Sequence, residues 1–254
     1  MMLLEVNNLN RRFGGLQAVS DVNFSVHPGM IKAVIGPNGA GKTTLFNLIS
    51  GALPPSSGAI HFKGLPIHGL PPFRIAERGM ARTYQNIKLC PGMTALENVM
   101  IGRHCRSRAG FISGMLNLPW TRREEIAIRE KSLELLALLD IADLAEVEAT
   151  SLAFGQQRAV EFARALAMEP ELLLLDEPAA GLNIYETAEV ARLISTINQR
   201  GITVLLVEHD MSLVMDISHE IVVLSFGQKI AEGTPAEIQH NSEVIKIYLG
   251  EDDA

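Results

Sequence analysis

The run Gly36-Pro37-Asn38-Gly39-Ala40-Gly41-Lys42-Thr43-Thr44 follows the apolar residues Ala33-Val34-Ile35 and precedes Leu45-Phe46-Asn47-Leu48-Ile49. This is G-x-x-x-x-G-K-[ST], the Walker A phosphate loop, set between a short apolar strand and a segment of helical spacing that stops at Gly51. Glycines admit backbone conformations that a Cβ obstructs, so successive N–H groups can converge on one phosphate-sized concavity. The start of the following helix adds partial positive charge. Lys42 supplies a point charge for the β- and γ-phosphates, and Thr43 a hydroxyl for Mg²⁺. The chain is thereby expected to build an α/β core around a nucleoside triphosphate.

Composition permits such a core. At 254 residues, 47% hydrophobic and 20% charged, the chain has the make-up of a folded globular protein. The net charge of −7 argues against a general nucleic-acid binder. Cys90 and Cys105, even with His104 beside the second, lack metal-ligand spacing and read as reduced thiols. Met1-Met2-Leu3-Leu4 meets Glu5 at once, unlike a signal peptide. No apolar run reaches the ~18 residues that span a bilayer. The expectation is a chain soluble by itself, with any membrane spans supplied by other chains.

Val22, Phe24 and Val26 alternate with Asn23 and Ser25 as in a half-buried strand, and Met30–Ile35 is the strand entering the loop. Ala59–Phe62 reads as a strand and Pro71–Arg78 as a short helix. From Ile87 to Ala149 the pattern becomes helical, with Thr94–Met100 and a long amphipathic helix over Arg122–Asp140. There Ile126, Leu133, Leu136 and Ala137 are expected to share one face and Glu125 to pair with Arg129. The last third alternates strand and helix. The fold class is therefore α/β: a P-loop NTPase core (residues 1–86 and 158–254) with an N-terminal antiparallel β region and an inserted α-helical subdomain (residues 87–157).

Two further motifs carry chemistry. Leu172-Leu173-Leu174-Leu175-Asp176-Glu177 is a buried strand ending in carboxylates, the Walker B pattern. Asp176 would hold Mg²⁺ and Glu177 would polarise the water attacking the γ-phosphate. Leu152-Ala153-Phe154-Gly155-Gln156 stands just ahead of it, with a helix over Arg158–Met168 in between. A glycine followed by a helix start offers free N–H groups to phosphate.

With these motifs in this order the chain resembles the nucleotide-binding subunit of an ABC transporter. Leu152–Gln156 is similar to the family signature L-S-G-G-Q, with Ala153 and Phe154 as departures. The resemblance implies that Phe13 stacks on adenine, that Gln85 touches Mg²⁺ or the attacking water, and that His209 contacts the γ-phosphate. It also implies that Ala180-Gly181-Leu182-Asn183 is the D-loop, which usually ends in Asp. Ala153, Phe154 and Asn183, with Phe13-Gly14-Gly15-Leu16-Gln17-Ala18-Val19, Glu208-His209-Asp210-Met211 and Ile247-Tyr248-Leu249-Gly250, resemble the branched-chain amino acid uptake subfamily. Within it the chain is most similar to the larger of the paired ATPase subunits, partly through the insertion around Arg106–Arg123.

The implied assembly is a head-to-tail dimer, of identical or paralogous ATPases. Ala153, Phe154, Gly155 and Gln156 of one subunit face ATP held by the Walker motifs of the other. Permease subunits, docked near Gln85 and the residues following it, and a separate solute-binding protein complete the system, with this chain peripheral at the cytoplasmic face of the inner membrane. Phe111-Ile112-Ser113-Gly114-Met115-Leu116 with Trp120 would either contact that partner or pack locally. The alternatives are the ATPase of lipopolysaccharide export, a nucleic-acid-associated ABC protein and a GTPase-type or metabolic P-loop enzyme. The acidic charge, the lack of a coiled coil and the missing Asn-Lys-x-Asp motif count against the last two. If the loop assignment is right, Lys42→Ala sharply weakens triphosphate binding in calorimetry; unchanged affinity would refute the assignment.

Overall fold

The computed structural model describes residues 2–103 and 119–249. They form two compact units, one running to Arg82 and resuming at Glu171, the other spanning Thr83–Pro170. In the first unit the strands are β1 (Leu4–Phe13), β2 (Leu16–Val26), β3 (Ile31–Ile35), β4 (Ser57–Phe62), β5 (Leu65–Pro66), β6 (Met80–Arg82), β7 (Leu172–Asp176), β8 (Thr203–Val207), β9 (Glu220–Ser225) and β10 (Gln228–Gly233). They make an antiparallel sheet in the order β2-β1-β4-β5 and a second sheet in the order β10-β9-β3-β8-β7-β6. The expected antiparallel region and α/β core are thus both present.

Local sequence explains each layer. Val22, Phe24 and Val26 of β2 are buried while Asn23 and Ser25 are only partly covered, as period-2 alternation requires. By contrast β3, β7 and β8 are buried at every position, the condition of parallel strands covered on both faces. Leu45, Phe46, Leu48 and Ile49, from the helix Lys42–Ile49, join Leu172, Leu174, Leu205 and Val207 in one core cluster. Lys32, 1% exposed within β3, is neutralised by Glu220 and Glu232 and donates to the Ser25 carbonyl at 2.6 Å. A charge inside a buried strand is tolerated because it is paired and hydrogen-bonded.

The second unit is helical, with Ala95–Gly102, Pro119–Leu138 and Phe154–Leu166. Thr94 opens the first helix by a capping box with Glu97. The fully buried Asn98 side chain accepts from the Cys90 N–H at 2.8 Å and donates to the carbonyls of Cys90, Met93 and Thr94. It ties the loop before the helix to the helix itself.

Two details of the long helix differ from expectation. Among its described side chains the buried ones are Ser132 and, as expected, Leu136, with Leu139 buried just past its end, while Ile126 is 51% exposed and Ala137 lies on the solvent side. The spacing of 4 and 3 places the burial stripe one step round from the one read off the apolar residues. Arg129 bonds Glu146 at 2.7 Å, a tertiary partner in place of the expected local Glu125 pair. The unit also extends to Pro170 rather than ending at Gln157. The helix Phe154–Leu166 buries Ala159, Phe162, Ala163 and Leu166 and packs on its neighbours in this unit, so it cannot be divided from them.

Among the described residues no helix is long and apolar enough to cross a membrane. The segment Phe111–Leu116, most of the insertion around Arg106–Arg123, His104, Cys105 and Gly250 lie outside the described residues. Removing the Asn98 side chain by Asn98→Ala strands the polar groups it joins, at about 1–3 kcal/mol. Urea unfolding is expected to show a loss of that order.

Candidate nucleotide-binding site

The strand β3 leads directly into Gly36. A Cβ there would lie 2.1 Å from the Leu224 carbonyl oxygen, and one on Gly41 2.5 Å from that of Ala18, with φ of 152° and 101°. Neighbouring strands press on the loop so closely that only glycine fits at both positions. Gly41 precedes the helix Lys42–Ile49 without a side-chain cap, which leaves first-turn N–H groups for an anion. Lys42, 6% exposed, donates to the carbonyls of Gly36 at 2.7 Å and Pro37 at 3.1 Å. Burial lowers its pKa, opposed by the nearby Glu177 and Asp176 carboxylates. The Tyr248 hydroxyl, beside the Gly36 N–H, is pushed up to about 12 by burial.

A cavity of about 400 Å³ opens over this loop, bordered by Phe13, Leu16, Gln17 and Ala18, by Asn38–Thr44, and by Glu177 and Phe226. Phe13 ends β1 and is 41% exposed. The Arg11 guanidinium covers it at 4.6 Å from the ring centroid and is itself bonded to the Pro54 carbonyl at 2.8 Å. A cation on one face of a ring holds it in place and leaves the other for stacking.

The carboxylates emerge from β7. Asp176, 5% exposed, takes a 2.7 Å bond from Arg82; Arg82 also donates to Asn47 at 2.8 Å and Ser50 at 2.7 Å. Glu177 has a φ of 47°, a left-handed backbone that is uncommon outside glycine and concentrates at functional sites. Its N–H donates to the Val207 carbonyl at 2.9 Å, continuing the β7–β8 pairing. His209 Nδ1 stands 4.0 Å from Glu177 and 3.7 Å from Glu208. Glu208 is fully buried and accepts from the N–H groups of Ala179 at 2.8 Å and His209 at 3.0 Å. Burial raises its pKa against those bonds. It joins the turn after Walker B to the loop bearing His209.

The structure therefore groups Phe13, Asn38–Thr44 and Glu177 around one cavity, with His209 next to Glu177. Gln85 and Ala153–Gln156 belong to the other unit. There Arg158, fully buried, donates to the carbonyls of Tyr84 and Gln85, both at 3.2 Å, and to Glu161 at 2.6 Å. Burial raises the Glu161 pKa, opposed by Arg158. One arginine thus ties the backbone of Gln85 to the helix that begins at Phe154. Ala153 caps that helix without a side-chain acceptor, while the Gln156 side chain accepts the Ala153 N–H at 3.1 Å. Back in the first unit, Asn183 caps the helix Ile184–Gln199, its oxygen accepting from Tyr185 and Glu186. Asn serves that purpose as well as Asp does.

Motif reasoning assigns no site role to Arg11, Arg82, Arg158 or Glu208, although Glu208 stands in the run Glu208-His209-Asp210-Met211. Glu208 had a signal, since it follows β8 as the Walker B carboxylates close β7. The Arg158–Glu161 spacing of three on a helix was another.

Comparison with known proteins bears on this geometry. The family described as ABC transporter matches residues 19–180, and that described as branched-chain amino acid ATP-binding cassette transporter matches residues 228–254. The chain is 45% identical to the high-affinity branched-chain amino acid transport ATP-binding protein BraF of Pseudomonas aeruginosa, over 98% of each chain. It is 44% identical to LivG of Escherichia coli, a protein of the same description, again over 98% of both. Among solved structures it is similar to the ADP conformation of MJ1267, an ATP-binding cassette of an ABC transporter. There the TM-score is 0.85 and identity 32%, covering 99% of this chain and 100% of the other. It is also similar to the dimeric post-hydrolysis state of the ATP-binding cassette MJ0796 bound to ADP and Pi, with TM-score 0.75 and 25% identity over 91% and 98% of the two chains.

The bare cap at Ala153 gives a direct test. Ala153→Ser supplies the missing acceptor and is expected to stabilise the fold by about 0.5–2 kcal/mol, read as a higher urea midpoint with unchanged slope.

Proposed function

Since this chain belongs to the ABC transporter family, we propose that it is the ATP-hydrolysing subunit of an importer for branched-chain or related hydrophobic amino acids. It would work with separate permease subunits and a solute-binding protein, peripheral to the cytoplasmic face of the inner membrane. The observation that carries the reading is one cavity with Phe13 at its rim and Lys42, Thr43 and Glu177 on its walls. The C-terminal match over residues 228–254 favours uptake of these amino acids over lipopolysaccharide export.

In this reading the open face of Phe13 stacks on adenine. Lys42 and the N–H groups of Gly39–Thr44 hold the phosphates. The Thr43 hydroxyl and the Asp176 carboxylate are hard oxygen donors, few in number, as suits a cation that keeps water and substrate phosphate in its shell. Mg²⁺ bound there would neutralise charge on the phosphate oxygens. Glu177 polarises the attacking water, and His209 beside it faces the γ-phosphate.

The second half of the site comes from another ATPase subunit. Gly155 supports this. A Cβ there would meet nothing within 4 Å among the described residues, so the packing described gives no reason for glycine over alanine, the better helix former. Close approach by a phosphate gives one. Ala153 removes one hydroxyl donor and leaves the backbone N–H groups. Triphosphate then bridges two surfaces, and its hydrolysis frees them, a switch driven by differential affinity.

Glu177→Gln keeps the binding groups and loses water activation. Hydrolysis is expected to fall by at least about 10²-fold, with ATP-dependent association seen by light scattering. Absence of ATP-dependent association with itself and with each paralogous partner would overturn the two-subunit site. Uptake of labelled leucine by vesicles holding the complete transporter tests the solute class.

A further inference from the structure

Phe226 sits in the two-residue turn between β9 and β10, whose register pairs Ser225 with Gln228. Its side chain is 89% exposed, more than any other large hydrophobic residue among those described. Its φ is 45° and that of Gly227 is 79°, the two left-handed residues of a type I′ hairpin turn. Such turns favour Asn-Gly or Asp-Gly, because a bulky residue is strained there. The turn thus combines backbone strain with a ring left in solvent, and neither helps the chain fold.

The turn is held in place. The Gly227 N–H donates to the Ala40 carbonyl at 3.0 Å, and the Gly227 carbonyl accepts from the Ser20 N–H at 2.8 Å. One bond ends on the phosphate loop and the other on β2. The ring borders the same cavity as Phe13, Ala18 and Lys42. A strained, exposed aromatic fixed at the mouth of a site is the kind of outlier from which function can be inferred.

We propose that Phe226 is a nucleotide-binding residue, its ring forming a second apolar wall for the base and ribose beside that of Phe13. The proposal rests on the nucleotide-binding reading above and adds a contact that the phosphate-loop motifs do not supply. Every base presents a π-face, so this wall strengthens binding of adenine and guanine nucleotides alike, and leaves phosphate recognition to the loop.

The test is Phe226→Asn, which gives the turn its favoured Asn-Gly sequence. The variant is expected to melt higher than the parent and to bind MgADP about 3- to 10-fold more weakly, with unchanged affinity for inorganic pyrophosphate. Phe226→Trp is expected to keep the parent's ADP affinity. Unchanged ADP affinity in Phe226→Asn would overturn the proposal, as would equal loss for ADP and pyrophosphate, which signals a distorted loop. Unchanged ADP binding with lost ATP-dependent association would place the ring at the subunit interface instead and also overturn it. A parent protein that binds no ADP would fell the nucleotide-binding reading itself, a result distinct from these.

Discussion

The parallel register of β3, β8 and β7 is the constraint on which the site depends. Val34 and Asp176 both align with Val207. The chain therefore leaves the three strands at one level, at their carboxyl ends. Gly36, Glu177 and Glu208 follow there within one or two residues of the aligned positions. Ligands of open α/β sheets bind at that edge. A slip by one residue in β7 would bring the buried Leu175 to the site and draw a carboxylate into the core. Complete burial of all three strands makes such a slip costly.

Around this edge the polar groups are organised as ties. Arg82 joins Asp176 to the helix that follows the phosphate loop, through Asn47 and Ser50. Glu208 joins the turn after Glu177 to the segment with His209. In the other unit, Arg158 joins the Gln85 backbone to the helix beginning at Phe154. Removing one partner of the buried Arg82–Asp176 or Arg158–Glu161 pair would leave the other charge uncompensated.

Much of this was legible from local sequence. The phosphate loop, the β7 carboxylates and the alternation in β2 depend on residue type and period, which the sequence displays directly. Ties were less legible, because Arg82 and Asp176 are 94 residues apart and no local pattern links them. The buried stripe of the helix Pro119–Leu138 was misplaced for a related reason: burial follows what packs against a helix, and Ser132 is buried there while Ile126 is not. Arg129 likewise found Glu146 across the fold. Phe226 was missed because its meaning lies in a backbone angle, and a phenylalanine after an apolar strand reads as more of the same strand.

The charge balance at the phosphate loop has a consequence for how the anion is held. Lys42 and Arg82 stand with Asp176 and Glu177, so these two cations and two carboxylates largely offset one another at close range. The oriented N–H groups after Gly41 therefore carry a large share of the grip on phosphate. Salt screens interactions between exposed charges over about 10 Å at 0.1 M and leaves such contact bonds largely intact.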